Sequence, residues 1–240
     1  MYALQNKSRP WWVTFDFDHT LIKSPYWRLH FLPWLTRQAH HQNVDATILR
    51  RAIHDEGQRR WARGEWVASF DWSAIAQTLG LDPIPPADQP DATTVRNLVL
   101  PHVETVLWSL KRLDVRLAVV TNGFKAFQSP YLKALGWDYV FDAIVTPDII
   151  GTAKPDPAMM KSLHPILLHI GDRLTHDVLC AQRAGAGSAL VDSTMPETDR
   201  IDPLSPSHIV PDFLIHDFRV IPSIVSTLLN TRNMATVFFT

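Results

Sequence analysis

The chain has 240 residues, of which 46% are hydrophobic and 20% charged, and its 23 basic and 24 acidic residues give a formal net charge of −1. This balance excludes a nucleic-acid binder that works by bulk positive charge. Cys180 is the only cysteine, which excludes an intrachain disulfide. The first 12 residues lack the pattern of a secretion signal, and no apolar run reaches the roughly 20 residues of a membrane span. We therefore expect a soluble, cytoplasmic protein without a membrane partner.

The chain begins with a predicted strand and then changes character. Residues 11–17 read WWVTFDF, a short apolar run that is typical of a buried strand and ends in acidic residues. From residue 22 to residue 98 helical spacing dominates. We predict helices over 45–63 and 71–79, the second of them capped by an aspartate and ended by a glycine. Residues 82–90 contain four prolines and are predicted to be irregular.

From residue 100 onward, predicted strands and helices alternate. The strands are predicted at 115–120, 141–146, 166–170, 188–191 and 213–215, and the helices at 102–113, 129–135, 157–163, 177–184 and 221–229. This alternation favours a parallel sheet covered on both faces. Because one strand precedes the helical segment and the others follow it, we predict an α/β domain (residues 1–21 and 99–240) with a helical domain (22–98) inserted after its first strand.

Polar side chains gather at the carboxyl ends of the predicted strands, where open parallel sheets bind their ligands. Four of them are carboxylates, and a threonine and a lysine accompany them; the residues are Asp16, Asp18, Thr121, Lys154, Asp172 and Asp177. Converging carboxylates repel one another unless a cation lies among them, and hard oxygen ligands suit Mg²⁺. The lysine and threonine could hold a phosphate beside that ion.

An aspartate in such a site can act as a nucleophile and form an aspartyl-phosphate. A second carboxylate two residues further on can then protonate the leaving group and later activate the water that hydrolyses the intermediate. An ordinary aspartate has a pKa of about 3.9, so the acid role requires surroundings that raise it.

Four motifs together resemble the haloacid dehalogenase superfamily. They are D-F-D-H-T at residues 16–20, the strand-final Thr121, K-P-D-P at 154–157 and G-D-x-x-x-x-D at 171–177. The stretches 132–157 and 172–185 are also similar to members of that family. The resemblance implies a Rossmann-like, doubly wound parallel α/β core, and it implies that residues 22–98 form a helical cap of the family's first type.

The resemblance also implies roles for the acidic residues. Asp16 would be the nucleophile and a Mg²⁺ ligand. Asp18 would be the general acid and base, and its backbone carbonyl would be a second ligand. Asp172 would be the third ligand from the protein.

The remaining site residues would bind phosphate or support the site. Thr121, Asn122 and Lys154 would bind the transferring phosphoryl group, and Lys154 would also neutralise charge around the nucleophile. Thr20 would support the loop after the first strand. Asp177 would orient the metal site or cap its own helix.

Asp18 points to a branch of the family. Dehalogenases of the superfamily lack an acidic residue at that position, whereas phosphatases and phosphomutases keep it. We therefore expect a Mg²⁺-dependent phosphatase that acts on a small phosphorylated metabolite. A phosphomutase on the same core and a catalytically silent binding protein are the alternatives, and the substrate and oligomeric state are left open.

Several other side chains invite a functional interpretation, but a structural one is favoured. His40, His41 and His54 lack further metal ligands at a sensible spacing and are expected on the surface. A basic cluster is expected to form a solvated helix face rather than to bind substrate anions; it comprises Arg50, Arg51, Arg59, Arg60 and Arg63. The tryptophans of residues 22–98 are expected to pack, and Cys180 to be a small buried residue. His176 departs from the small polar or acidic residue of relatives.

Overall fold

Six strands of the described residues form one parallel sheet. The computed structural model describes residues 11–86, 89–191 and 208–237. The strands are β1 (Trp11–Phe15), β2 (Val115–Val120), β3 (Ala143–Val145), β4 (Ile166–Gly171), β5 (Gly187–Val191) and β6 (Phe213–Ile215). Their order is β3-β2-β1-β4-β5-β6, and every neighbouring pair is parallel. This is the order of a doubly wound, Rossmann-like sheet, so the predicted fold class is confirmed.

Both faces of the sheet are buried, as its apolar strands predict. Side chains alternate along a strand, so Trp12 and Val13 belong to hydrophobic clusters on opposite faces. Cys180 lies in the cluster with Trp12 and is fully buried, which confirms the prediction for it. Within the described ranges, no helix is long and apolar enough to cross a membrane.

The segment between β1 and β2 is helical. It contains a π-helical turn (Trp27–Phe31), α1 (Leu32–Gln42), α2 (Ala46–Ala62), α3 (Trp66–Ser69), α4 (Trp72–Thr78) and α5 (Ala92–Arg96). The Asp45 and Asp71 carboxylates accept from the Thr47 and Ala74 amides, so both helices predicted here are present and capped. The part of 82–90 that is described holds neither helix nor strand, and residues 87–88 lie outside the described residues.

The helical segment leaves the sheet and returns to it at one place. Ile22 forms an antiparallel bridge with Val99, and the Lys23 amide donates to the Leu98 carbonyl at 2.9 Å. The predicted domain boundaries fall here, and the division into two domains stays a prediction.

The remaining helices cover the sheet. They are α6 (Val103–Lys111), α7 (Lys125–Ala134), α8 (Pro147–Ile150), α9 (Leu179–Arg183) and α10 (Ile221–Val237), with 3₁₀ turns at Trp137–Tyr139, Pro157–Leu163 and Phe218–Val220. A π-helical turn, Leu174–Val178, precedes α9.

Three predicted helices differ from the structure. The helix predicted over 129–135 begins at Lys125, because Phe124 is extended and Pro130 lies inside the helix rather than at its start. The segment 157–163 is a 3₁₀ helix. The α-helix predicted to start at Asp177 starts at Leu179, and the π-helical turn before it begins at Leu174. Asp177 therefore lies inside that turn instead of capping a helix.

Candidate active site

Three acidic side chains meet at the carboxyl edge of the sheet. Asp16 follows β1, whereas Asp172 and Asp177 follow β4, and β1 and β4 are neighbours in the sheet. Carboxylate oxygens of the three residues lie within 4.8 Å of one another, and all three side chains are buried. The strand order therefore brings together carboxylates that are more than 150 residues apart in the chain.

Lys154 is the cation of this cluster. Its Nζ lies 2.7 Å from Asp16 Oδ1 and 2.6 Å from Asp177 Oδ1, and it also donates to the Val120 carbonyl at 2.8 Å. Burial opposes its charge, but Asp16 and Asp177 outweigh burial and raise the pKa of Lys154 above its usual value. Lys154 therefore stays charged although its side chain is 2% exposed.

Asn122 holds the backbone of Lys154. Its Oδ1 accepts from the Lys154 amide at 2.8 Å, and its Nδ2 donates to the Lys154 carbonyl at 3.1 Å. These two bonds fix the loop after β3 against the end of β2. The structure thus gives Asn122 a positioning contact, and its predicted contact with phosphate stays a prediction.

Asp177 has hydrogen-bond partners on both oxygens. Oδ1 contacts Lys154 and lies 3.2 Å from His169 Nε2, while Oδ2 accepts from the Arg173 amide at 3.0 Å. Although burial would raise its pKa, Lys154 and His169 hold the pKa of Asp177 below its usual value. A Cβ on Gly171 would collide with this carboxylate, so the approach requires glycine. Both carboxylate oxygens of Asp177 are thus bonded to other groups of the protein.

Asp172 differs from Asp177 in having a carboxylate oxygen that no described residue bonds. Its Oδ2 is buried and has no hydrogen-bond partner among the described residues. Burial and the charge of Asp177 raise the pKa of Asp172 to about 7. Burial together with Asp177 and Asp172 also raises the pKa of Asp16, against the opposing charge of Lys154.

These raised pKa values and the unpartnered Asp172 oxygen show that the cluster carries more negative charge than Lys154 offsets, which suits a cation site. A divalent ion beside Asp16 and Asp172 would offset the repulsion between the two carboxylates, and the unpartnered Oδ2 of Asp172 could bind it. Mg²⁺ prefers a few carboxylate oxygens and keeps waters or phosphate oxygens for its other positions. The donor set therefore fits Mg²⁺.

Asp18 lies outside the ion-pair cluster. Its Oδ2 accepts from Gln128 Nε2 at 2.7 Å. Burial raises its pKa, while the Gln128 hydrogen bond, Ser24 and Lys154 lower it to a smaller extent. Gln128 lies on α7 and packs so close to Gly123 that a Cβ there would collide with its side chain. The carboxyl of Asp18 is thus held in a setting that favours its protonated form.

The two predicted threonines follow β1 and β2 at the carboxyl edge of the sheet. Thr20 Oγ1 lies 3.5 Å from Asp16 Oδ2, a long contact that leaves this oxygen weakly held. Thr121 is 2% exposed at the end of β2, and its hydroxyl accepts from the Gly123 amide at 3.1 Å. Thr121 thus lies at the strand end from which the sequence argument took it, and Thr20 lies in the loop after β1.

Sequence reasoning missed His169 and Gln128. His169 lies within β4, fully buried, with Nδ1 2.8 Å from Thr14 Oγ1 and Nε2 facing Asp177. Burial lowers its pKa, which favours the neutral ring. A lone histidine in an apolar strand was a signal, but sequence gives no means of pairing it with Asp177.

The helical segment contacts the loop that carries Asp172 and Asp177. The ring of His176, in that loop, lies 4.9 Å from the ring of Trp61 and 5.6 Å from that of Phe70. His176, the position at which this sequence differs from relatives, therefore provides an aromatic contact between the helical segment and the loop of the site.

Three other tryptophans of this segment pack around Phe31, as expected. Trp27 stacks on Phe31 at 4.2 Å, and Trp72 meets Phe31 edge-on at 5.5 Å. Trp34 is 3% exposed beside the same ring.

The prediction of a solvated basic face is wrong for Arg60. Its guanidinium is buried and binds Glu56, the Ala68 and Ala74 carbonyls and Thr78 Oγ1. Arg60 thus joins α2 to α3 and α4. Surface positions are confirmed for Arg50, Arg51, Arg59, Arg63, His40, His41 and His54.

Comparison with known proteins identifies a family whose sequence model matches this chain. The family model of haloacid dehalogenase-like hydrolases matches residues 12–185. The chain is 30% identical over 107 residues to glyceraldehyde 3-phosphate phosphatase of Methanothermobacter thermautotrophicus, which is 42% of this chain and 47% of that protein. It is 27% identical over 181 residues to validoxylamine A 7'-phosphate phosphatase of Streptomyces hygroscopicus subsp. limoneus, 71% of this chain and 80% of that protein. The chain spans about half the length of the first curated relatives that it matches.

A solved structure shares the fold. The HAD phosphatase of Thermococcus onnurineus superimposes with a TM-score of 0.67 at 20% identity, covering 90% of this chain and 97% of that one. At this identity the likeness concerns the fold, and it includes the parallel sheet that positions the acidic cluster.

Proposed function

Because this chain belongs to the haloacid dehalogenase-like hydrolases, we propose that it is a Mg²⁺-dependent phosphatase that cleaves a small phosphomonoester through an aspartyl-phosphate on Asp16. One observation carries the proposal. Two carboxylates two residues apart have different surroundings: Asp16 is paired with the Lys154 ammonium at 2.7 Å, whereas Asp18 has the neutral Gln128 amide as its partner at 2.7 Å and burial raises its pKa. The first setting suits a nucleophile and the second suits an acid.

In the first step, an oxygen of Asp16 attacks phosphorus. Oδ1 is held by Lys154, so Oδ2, with only the long Thr20 contact, is the oxygen that attacks. The Asp16 oxygen–phosphorus bond forms as the bond from phosphorus to the leaving alcohol breaks. Asp18 gives its proton to the leaving oxygen, and the raised pKa of Asp18 supports this role.

In the second step, Asp18 acts as a base. Its carboxylate takes a proton from a water molecule that attacks phosphorus, and the bond between phosphorus and Asp16 breaks. Inorganic phosphate is released and Asp18 is protonated again. In this proposal Thr121, Asn122 and Lys154 bind the phosphoryl oxygens in both steps.

Asp16, Asp172 and the Asp18 carbonyl would hold the Mg²⁺ ion. When bound, the ion supplies positive charge beside the phosphoryl oxygens. Asp177, through Lys154, would keep the cluster in place. The unpartnered Asp172 Oδ2 supports this assignment of ligands.

Residues 22–98 would act as a cap that excludes bulk water during the reaction. The contact of Trp61 and Phe70 with His176 supports this role, since it joins the helical segment to the acidic loop. The acidic Asp18 and the phosphatase names of the relatives favour a phosphate ester over a haloacid as the substrate. A cytoplasmic location stays a prediction.

Phosphate release from p-nitrophenyl phosphate tests the proposal. The wild type is assayed with Mg²⁺ and with a chelator, beside Asp16→Asn and the control Asp138→Asn, which changes an exposed aspartate in the same way. We expect Mg²⁺-dependent turnover in the wild type and the control, and none in Asp16→Asn. Turnover that survives in Asp16→Asn would exclude Asp16 as the nucleophile.

A further inference from the structure

Three uncharged side chains near Asp18 carry buried polar atoms without a hydrogen-bond partner among the described residues. They are the hydroxyls of Tyr26 and Tyr131 and Oε1 of Gln128. Tyr26 is 7% exposed, Gln128 3% and Tyr131 0%. Buried polar atoms in native proteins nearly always have a partner, so three orphans in one place call for an explanation.

The three side chains are neighbours. Tyr26 lies just before the π-helical turn that enters the helical segment, while Gln128 and Tyr131 lie three residues apart on one face of α7. The ring of His30 stacks on Tyr26 at 6.1 Å and meets Tyr131 edge-on at 5.9 Å. These contacts place the orphan atoms at the junction between the helical segment and the sheet domain.

This junction adjoins the carboxyl of Asp18. Gln128 donates to Asp18 with its Nε2, so its Oε1 is left over on the same amide. Tyr131 is close enough to Tyr26 and Asp18 for both to add to burial in raising its pKa. Asp18 Oδ1 is also buried without a partner.

Because they lie beside Asp18, the three unpartnered atoms would contact the leaving group of the substrate. Asp18 protonates the leaving oxygen in the proposed reaction, so the rest of the leaving alcohol must lie beside Asp18. Two phenols and an amide oxygen then offer donors and acceptors to that alcohol. The rings of Tyr26 and Phe127, 4.5 Å apart, add an apolar wall.

The chemistry of the group is neutral. Its members are two phenols and an amide, and the titratable groups in contact with them include the Asp18 carboxyl and the His30 ring. A carboxylate or a second phosphate on the leaving group would lie beside the Asp18 carboxyl and would meet no cationic side chain among Tyr26, Gln128 and Tyr131. Hydroxyl groups, in contrast, would satisfy the orphan atoms.

We propose that Tyr26, Gln128 and Tyr131 form the leaving-group subsite and that the substrate is the phosphate ester of a neutral alcohol bearing further hydroxyl groups. This inference rests on the proposed phosphatase function. Sites built to bond a substrate hydroxyl discriminate against analogues that lack it, because their buried polar groups are then left unpaired.

Three esters of similar size test the subsite: glycerol phosphate, propyl phosphate and 3-phosphoglycerate. We expect kcat/KM with Mg²⁺ for glycerol phosphate to exceed that for each of the other two at least tenfold. In Tyr26→Phe and in Tyr131→Phe the ratio of glycerol phosphate to propyl phosphate falls about fivefold, the effect of one neutral hydrogen bond. A ratio is used because damage to folding lowers both terms equally. Tyr139→Phe, at a tyrosine that is 85% exposed, leaves the ratio unchanged.

Binding of the same esters to Asp16→Asn, measured by titration calorimetry with Mg²⁺, separates the subsite from the reaction. If no ester is hydrolysed but glycerol phosphate binds best and loses its advantage when Tyr131→Phe is added, the subsite stands and the phosphatase proposal fails. If esters are hydrolysed but the ratio is near one, or is unaltered in both tyrosine variants, the phenols hold only structural water and the subsite is overturned. Preference for 3-phosphoglycerate, or no binding and no hydrolysis of any ester, overturns it as well.

Discussion

Asp177 and Lys154 form an ion pair inside the protein, with Oδ1 2.6 Å from Nζ and both side chains 2% exposed. Lys154 shares the same ammonium with Asp16 at 2.7 Å. One cation therefore serves two buried carboxylates that lie more than 150 residues apart in the chain. Buried charges are tolerated when they are paired, and removing one partner leaves the others uncompensated.

Replacing Lys154 with Met should therefore destabilise the protein as well as inactivate it. We expect the free energy of unfolding, measured by urea denaturation in the presence of a chelator, to fall by about 3–5 kcal/mol. Lys161→Met, at an exposed lysine, should change it by no more than about 0.5 kcal/mol. Equal stability of Lys154→Met and the wild type would contradict the ion-pair network.

The sequence was sufficient to predict the strand ends that build the cluster. Asp16, Lys154 and Asp172 follow apolar runs with turn-forming residues behind them, and parallel strands place such residues on one edge. The helices with aspartate N-caps in residues 22–98 were predictable from local signals as well. Both predictions depend on signals confined to about ten neighbouring residues.

What could not be predicted depends on contacts between distant segments. His169 faces Asp177 and Gln128 faces Asp18 only because strand register and helix placement bring them there. The burial of Arg60 has the same origin: its partners come from α3 and α4, and nothing in the α2 sequence distinguishes it from its exposed neighbour Arg59.

The pKa of Asp172 predicts how stability depends on pH without metal. Its value of about 7 in the folded protein lies above the roughly 3.9 of an unfolded chain. Between these values the folded state holds a proton that the unfolded state has lost. The contribution of Asp172 is therefore fully present below about pH 4 and is lost as pH rises through 7, by at most about 1.4 kcal/mol per pH unit.

We expect the wild type in chelator to lose free energy of unfolding between pH 5 and pH 8 relative to Asp172→Asn. Asp16, whose pKa is also raised, acts in the same direction and remains in both proteins. Urea denaturation at several pH values measures the difference, with Asp138→Asn as the surface control. Mg²⁺ should remove much of the loss of stability at higher pH, because it favours the ionised carboxylate. If the free energies of unfolding of the wild type and Asp172→Asn change with pH in parallel, the effect of burial on Asp172 is ruled out.

Asp18→Asn should separate the two proposed chemical steps. Nitrophenolate leaves without a proton whereas an alkoxide requires one, so hydrolysis of an alkyl phosphate should fall by about 10²–10⁴ and formation of the phosphoenzyme from p-nitrophenyl phosphate by less. Loss of the base should slow the second step, so stopped-flow absorbance should show a burst of nitrophenolate of about one per site. Equal proportional losses for the two esters would contradict the acid role of Asp18.

Arg60→Met should weaken the helical segment without acting on the phosphoryl group. Arg60 is 8% exposed, and its guanidinium donates to Glu56, to the Ala68 carbonyl at 3.2 Å and to Thr78 Oγ1 at 2.8 Å. Its loss therefore leaves polar groups of α2, α3 and α4 without their partner. We expect the free energy of unfolding to fall by about 3 kcal/mol. Arg59→Met, one residue away and 57% exposed at its side chain, is the matched control and should stay within about 0.5 kcal/mol of the wild type. Were Arg60 instead a substrate ligand, Arg60→Met would raise KM at unchanged stability, and urea denaturation together with steady-state kinetics distinguishes the two roles.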